Sequence, residues 1–384
     1  MKRSLLITVL LIGALAALAL EFSNAGDSLP ISAQIIGAPL PADGFSRADG
    51  SVSMSFPEDF GPHPDFQTEW WYYTGNLQAQ DGRHFGYQLT FFRRALLPIN
   101  ESIVRNSEWG TNQIYMAHFA LSDADGDAFY AYERFSRAAA GLAGAQGAPY
   151  TVWLENWRVE QTSPSQFILT AANEEVAIDI ILEDEKGPVL QGDQGFSPKG
   201  PEPGNASYYY SQTRLKSTGE IVIGEEHIAV EGLSWKDHEF STSALAPGQI
   251  GWDWFSIQLS NGYELMLFEL RRSDGSIDLL SSGTLISPEG ETMALSEEDF
   301  LISTQGKWKS EISGATYPMG WQLSIPAADL VLELSPYLED QELNLSITYW
   351  EGAVFVSGSQ NGQEVSGQGY VEMTGYADSL EGQF

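Results

Sequence analysis

A chain of 384 residues with 52 acidic against 19 basic side chains carries a formal net charge of −33, which repels phosphate backbones and anionic headgroups and argues against nucleic acid or a bilayer surface as partner. There is no cysteine, so disulfides, thiolate metal sites, a Cys nucleophile and a lipoprotein anchor are excluded. The length suits two domains, and 43% hydrophobic residues with 11 Trp supply ring-rich cores.

The chain opens on "MKRSLLITVLLIGALAALALEFSNAGDS". Lys2 and Arg3 form a basic head, Leu5 to Leu20 an apolar run short for a spanning helix, and Ser23-Asn24-Ala25 a small-x-small cleavage site. A secretory signal over 1–25, cut after Ala25, is expected, with an uncleaved N-terminal anchor as the alternative. Either places the protein outside the cytoplasm, secreted or periplasmic, and no later segment is apolar enough to span a membrane. Residues 26–55, rich in Gly, Pro, Ala and Ser, read as a leader or linker.

"HPDFQTEWWYYTGNL" follows at 63–77. Successive strand side chains point to opposite faces, so consecutive aromatics at 70–73 need packing on both sides, and one of the packed bodies can be a ligand. Tight-turn dipeptides then punctuate the chain: Asp81-Gly82, Asp125-Gly126, Asn261-Gly262, Asp274-Gly275, Glu289-Gly290 and Asn361-Gly362. "VWLENWRVEQ", "EVAIDIILE", "GEIVIG", "HIAVEGLSW" and "ELNLSITYW" read as strands. The best short helix is "LSEEDFLIST" at 295–304, with Ser296 as cap and Asp299 three residues on.

An internal repeat organises these elements. Trp70–Leu77 lies over Trp252–Leu259 at an offset of 182, and after the next strand Arg93-Arg94 lies over Arg271-Arg272. One duplicated β domain explains this, with the seam at "STSALAPGQ" (241–249): residues 56–242 form the first domain and 243–384 the second. Sheets of so many antiparallel strands must close or stack. The expectation is all-β: two tandem lipocalin-like (calycin-type) antiparallel β-barrels, the barrel mouth able to hold a small ligand. A double sandwich of shorter strands stays open as an alternative.

Chemistry-bearing motifs are few. The five histidines show no metal-site spacing, and "SDADGDAF" (122–129) lacks the Gly and Glu of a calcium loop, so it reads as a turn. No phosphate loop, nucleophile elbow or zinc motif occurs; neither metal nor cofactor is expected. In "LSWKDHEFS" (233–241) a strand sets Trp235, Asp237 and Glu239 on one face and Lys236, His238 and Phe240 on the other. A carboxyl against an aromatic wall resists ionisation and can act as an acid. "GNASYYYSQTRL" sets Tyr208 and Tyr210 on one face with Tyr209 opposite, suited to gripping a hydrophobe. Glu351 and Glu372 are further acids in the closing strands. Glu69 has Arg93-Arg94 as partners across the first hairpin.

"HPDFQTEWWYYTGNL", "LSWKDHEFSTS", "GWDWFSIQLSNGYELMLFELR", "YWEGAV" and "GQGYVEMTGY" together resemble the AttH and carotenoid 1,2-hydratase superfamily over residues 56–378. The resemblance implies secreted proteins of two lipocalin-like domains with a hydrophobic isoprenoid- or lipid-like ligand in or between them, some of them hydratases and some accompanying ABC transport systems. It implies Asp237 as proton donor in the motif Trp235-x-Asp237, with His238 or Asp237 orienting water. The aromatic faces of Tyr208, Tyr210, Trp235 and Trp254 would steady a cation; Glu69, Trp70, Trp71 and Trp252 complete the candidate ligand set. The family's upstream His-x-Trp pair is Tyr208-x-Tyr210 here, so its His is missing and carotenoid hydration itself does not carry over with the motif. A non-catalytic carrier is the other reading.

Overall fold

The computed structural model describes residues 42–383 apart from 102–106, 108 and 244. The expected signal segment and residues 26–41 of the leader lie outside the described residues. Among those described, nearly all regular structure is β, and helix is limited to four 3-10 turns of three residues each. No helix there is long and apolar enough to cross a membrane.

The first sheet has thirteen strands. Thr68–Ala79 pairs antiparallel with His84–Ala95 on one edge and with Glu226–Ser241, the sheet's last strand, on the other. The sheet curls into a nearly closed barrel around Trp71, Tyr73, Phe91, Trp157, Leu169 and Ile180. The second sheet has ten strands. It repeats the scheme: Gln249–Leu259 lies between Glu264–Arg272 and its own last strand, Gln363–Met373. The repeated hairpins read in the sequence thus occupy matching places. Strands as long as the 18 residues of Ala206–Ile223 leave the shorter-stranded sandwich aside.

Alternation on Thr68–Ala79 explains its composition. Trp71 and Tyr73 enter the barrel core, while Tyr72, with Trp70 beside it, joins Tyr209, Trp235, Trp254 and Phe268 in a cluster drawn from both sheets. The barrel is filled by its own side chains, so an enclosed ligand space lies elsewhere, at the seam between the sheets. Polar contacts also cross that seam. Asn76 Nδ2 donates to the Gly369 carbonyl at 3.0 Å, and buried Glu264 receives Lys186 Nζ at 2.7 Å together with Arg214.

Three local expectations are corrected. Residues 295–304 form only the turn Glu297–Asp299, in which Asp299 accepts from Ser296 N and Oγ at 2.8 and 2.6 Å; Leu301–Thr304 then runs as a strand paired with Trp321–Ile325. The cap was legible, but sheet pairing stops the helix after one turn. "VWLENWRVEQ" is not one strand but a hairpin of Thr151–Leu154 and Trp157–Ser163, turned at Glu155 with φ 57°. At Asp125-Gly126 the positive φ falls on Asp127 at 50°, because Asp123 Oδ1 accepts from Gly126 N at 2.9 Å and fixes the turn one residue on.

At Gly86 the two sheets approach closely: a Cβ there would stand 2.6 Å from Ala353 Cβ. Gly86→Val is expected to cost ~1–3 kcal/mol through overpacking, read as a lowered urea midpoint, with Ala353→Gly restoring part of it.

Candidate active site between the two sheets

The seam encloses a cavity of about 150 Å³. Trp70, Tyr72 and Tyr209 wall it from the first sheet; Trp252, Trp254 and Phe268 wall it from the second. Its polar lining includes the carboxyls Asp237, Glu239 and Glu372 with Lys199, and also His118 and Tyr349. A larger surface cleft of about 590 Å³ at the end of the first barrel has one carboxylate, Asp184, already taken by Gln212 and by the backbone N–H groups of Lys186 and Gly187.

Strand alternation puts Trp235, Asp237 and Glu239 on the seam side, as the sequence indicated. Antiparallel register then sets Ser211 opposite Asp237 and Tyr209 opposite Glu239. Asp237, 4% exposed, accepts from Trp235 Nε1 (2.7 Å) and Ser211 Oγ (2.5 Å) at Oδ1, and from Tyr209 Oη (2.6 Å) at Oδ2. Burial drives its pKa up to about 7 against the pull of these donors, and the nearby Glu239 charge adds to the rise.

The hydrogen bonds also locate the acidic proton. Indole N–H can only donate, and Ser211 Oγ itself accepts from Gln191 Nε2 at 2.8 Å, so both donors on Oδ1 are fixed. The proton of neutral Asp237 therefore sits on Oδ2 and is donated to Tyr209 Oη, which donates to Oδ2 only when the carboxyl is ionised and which the Trp254 Nε1–H reaches at 3.1 Å.

On the facing wall, Trp252 Nε1 donates to Glu372 Oε1 at 2.6 Å, and burial raises Glu372 to about 7. Lys199 Nζ lies 3.7 Å from the Phe268 ring centroid and 3.6 Å from Glu239 Oε1; burial pushes its amine down. With Asp237 neutral and Lys199 beside Glu239, the cavity suits a neutral, apolar guest.

Of the candidate residues, Asp237, Trp70, Trp252 and Trp254 line this cavity, and Trp235 touches it through its bond to Asp237. The structure turns the other five away. Trp71 and Tyr210 are in the barrel core. Tyr208 packs with Ala48, Ala206 and Phe240 on the outside of the same face, where residues 42–55 lie against the barrel. His238 and Glu69 belong to a buried network: His238 Nε2 and His63 Nδ1 each lie 2.8 Å from Glu69 Oε1, and Arg93 Nε donates to Oε2 at 2.8 Å. His238 therefore orients no water in the cavity, and the ring assigned to Tyr208 and Tyr210 is supplied by Tyr209. The reason is register. The aromatic run was legible, but which of its faces meets Asp237 depends on pairing with a strand that sequence does not align.

His63, Glu69 and His238 bring three potential ligand atoms within 4.8 Å of one another. Their chemistry fits an ion network better than a metal. Burial lowers His238 to about 4, so it is neutral and its Nε2–H points at Glu69. For His63 burial also lowers, but bonds to Asp59 and Glu69 outweigh it and raise the ring to about 9. Burial would raise Glu69, yet Arg93 and the two histidines hold it well below the usual range. Arg93 and Glu69 are both 0% exposed. Arg93→Met removes the buried guanidinium from that carboxylate and leaves it His63 alone as cation, and a loss of ~3–5 kcal/mol in urea unfolding is expected; adding Glu69→Gln should recover part of it.

Comparison with known proteins places this geometry. The AttH-like family model matches residues 47–376. A crystal structure of a Nitrosomonas europaea protein assigned to AttH (NE1406) is 32% identical, with TM-score 0.76 over 86% of this chain and all of that one. Kievitone hydratase from Nectria haematococca shares the fold at 17% identity, TM-score 0.65, over 88% of this chain and 98% of that one. The dehydratase asqC of Emericella nidulans is 20% identical over 210 residues; the match takes in 52% of this chain and spans 58% of that protein's length. With the family matched across almost the whole described structure, the chain belongs to the AttH-like family.

Proposed function

We propose that the protein binds a hydrophobic, isoprenoid- or lipid-like molecule in the seam cavity and catalyses cofactor-independent addition or elimination of water there, with Asp237 as the acid. The single observation that carries this reading is Asp237 itself: a buried carboxyl at a ring-lined cavity, in no salt bridge among the described residues, its pKa raised to about 7. Its Oδ2 proton passes to one carbon of an alkene, the π bond breaks, and the charge moves to the more substituted carbon. The faces of Trp70, Trp252, Trp254 and Tyr209 steady that cation. Water then forms the C–O bond and loses a proton, so the net change is one water added. Elimination is the same path reversed. General acid catalysis contributes about 10²–10⁴-fold, and a site with fixed dipoles and little water supplies further stabilisation.

Cavity size narrows the substrate. A space of about 150 Å³ takes roughly one benzene ring, so only the reacting end of a long isoprenoid enters, the rest lying along the seam. A neutral hydrophobe also suits a protein of charge −33, which would repel anionic lipids. An extracytoplasmic setting belongs to this proposal, resting on the N-terminal leader read in the sequence. The second reading is a carrier serving an ABC transport system. It uses the same cavity and needs no acid.

The test uses linalool, an acyclic isoprenoid with a trisubstituted alkene and a tertiary alcohol, in oxygen-18 water with wild type and Asp237→Asn. Label in recovered linalool or its hydrate is expected with wild type and should fall about 10²–10⁴-fold in the variant. Since the acid form is needed and its pKa is raised from 3.8 to about 7, the rate should decline as pH rises through about 7. The stability contributed by neutral Asp237 runs the same way, full below pH about 3.8 and lost as pH rises through about 7. Linalool bound equally and left unlabelled by both proteins would sink the catalytic reading and leave the carrier.

A further inference from the structure

The internal duplication has a consequence at the cavity. In the first sheet Asp237 lies on the last strand, opposite Tyr72 of the first strand. In the second sheet Glu372 lies on the last strand, opposite Trp254 of the first strand. Tyr72 and Trp254 are themselves related by the offset of 182. Asp237 and Glu372 are thus the same position in two copies, and each is preceded by an aromatic two residues back, Trp235 and Tyr370. Each accepts an indole N–H, from Trp235 and Trp252 respectively. The two carboxyls line one cavity from opposite walls.

The copies differ at the penultimate strand. Opposite Asp237 stands Ser211, a pure donor to it; opposite Glu372 stands a second carboxyl, Glu351. Glu351 is fully buried, accepts from Tyr72 Oη across the seam at 2.5 Å, and its Oε2 has no donor. An orphaned carboxylate oxygen at such depth is costly. It is accounted for if Oε2 carries the proton and donates to Glu372. We propose that Glu351 and Glu372 share one proton and that Glu372 is the second proton-transfer group of the cavity, accepting the proton of the attacking water on the side opposite Asp237.

This rests on the hydration reading and completes its proton balance. Asp237 gives H⁺ to carbon; the water oxygen bonds to the cation; its surplus H⁺ goes to the Glu372 carboxylate. Return of that proton to Asp237 resets the site. In elimination Glu372 protonates the departing hydroxyl and Asp237 removes the proton from carbon. Burial and the mutual charge of the pair hold Glu351 well above the ordinary range, and the first-sheet acids Asp237 and Glu239 raise Glu372 further. A neutral donor facing an acceptor that can take a proton near neutral pH is what the step needs.

Two measurements on the full chain separate this proposal from the reading beneath it. Infrared difference spectra of the ligand-free protein at neutral pH, wild type minus Glu351→Gln, should contain a protonated-carboxyl band that is also shifted by Trp252→Phe, which removes the indole donor to Glu372. Gln keeps the shape of a neutral Glu, so folding is retained. A spectrum with no such difference overturns the shared proton. In the oxygen-18 linalool assay Glu372→Gln should lower labelling by about 10²–10⁴-fold while linalool still binds. Wild-type labelling by Glu372→Gln alongside none by Asp237→Asn would overturn the role of Glu372 and leave Asp237 as the acid. No labelling by wild type would overturn the catalytic role of both.

Discussion

Everything in this molecule depends on Thr68–Ala79 and the neighbouring stretch 234–241 of Glu226–Ser241 being buried on both faces. A strand in a small barrel ordinarily shows its outer face to water and can alternate polar with apolar. Here the outer face is covered by a second sheet, so Trp70 to Tyr73 are all large rings. Each such ring removes about 150–250 Å² from water, on the order of 4–6 kcal/mol at about 25 cal/mol per Å². The share from Trp70 and Tyr72 helps hold the two sheets together and shields the seam from water enough to alter acid strength.

The same pair of strands produces opposite electrostatics on its two sides. Towards the barrel, Glu69 is met by Arg93, His63 and His238 and stays ionised despite complete burial. Towards the seam, one strand position away from His238, Asp237 meets only neutral donors and is pushed up to about 7. Burial is common to both, so the difference lies in the partners: a guanidinium outweighs desolvation, and hydroxyl and indole groups do not. One face therefore anchors structure, and the other stores a proton. A helix could not divide the labour this sharply, since its neighbouring positions are about 100° apart and not 180°.

The legible part of this protein was what depends on period and punctuation. Consecutive aromatics announced double burial, and the 182-residue offset announced two matching hairpins. The face of Asp237 followed from alternation alone. Asn361-Gly362, with φ of 51° and 71°, forms the kind of hairpin turn its two residues favour. What stayed hidden depends on register between distant strands. The run Tyr208 to Tyr210 offers a ring to either face, and only its pairing with Glu226–Ser241 selects Tyr209. Lys199 reaches the cavity from a stretch without regular structure, which no periodicity describes. Glu372 was legible as an acid of the closing strands, but its pairing with Asp237 was not: that requires carrying the offset from Tyr72 to Trp254 and knowing which last-strand residue each one faces.

That counterpart also bears on how such a site arises from duplication. Two copies of one hairpin scheme, packed face to face, bring the same last-strand position to a common cavity from both sides. Identical residues would serve poorly, because two equivalent buried carboxyls repel and neither is fixed as donor. The asymmetry falls on the penultimate strand. Ser211 gives Asp237 a fixed donor and confines its proton to the oxygen beside Tyr209, whereas Glu351 gives Glu372 a neighbour that holds a proton for it. Duplication supplies the geometry, and a Ser in one copy against a Glu in the other gives its two acids different work.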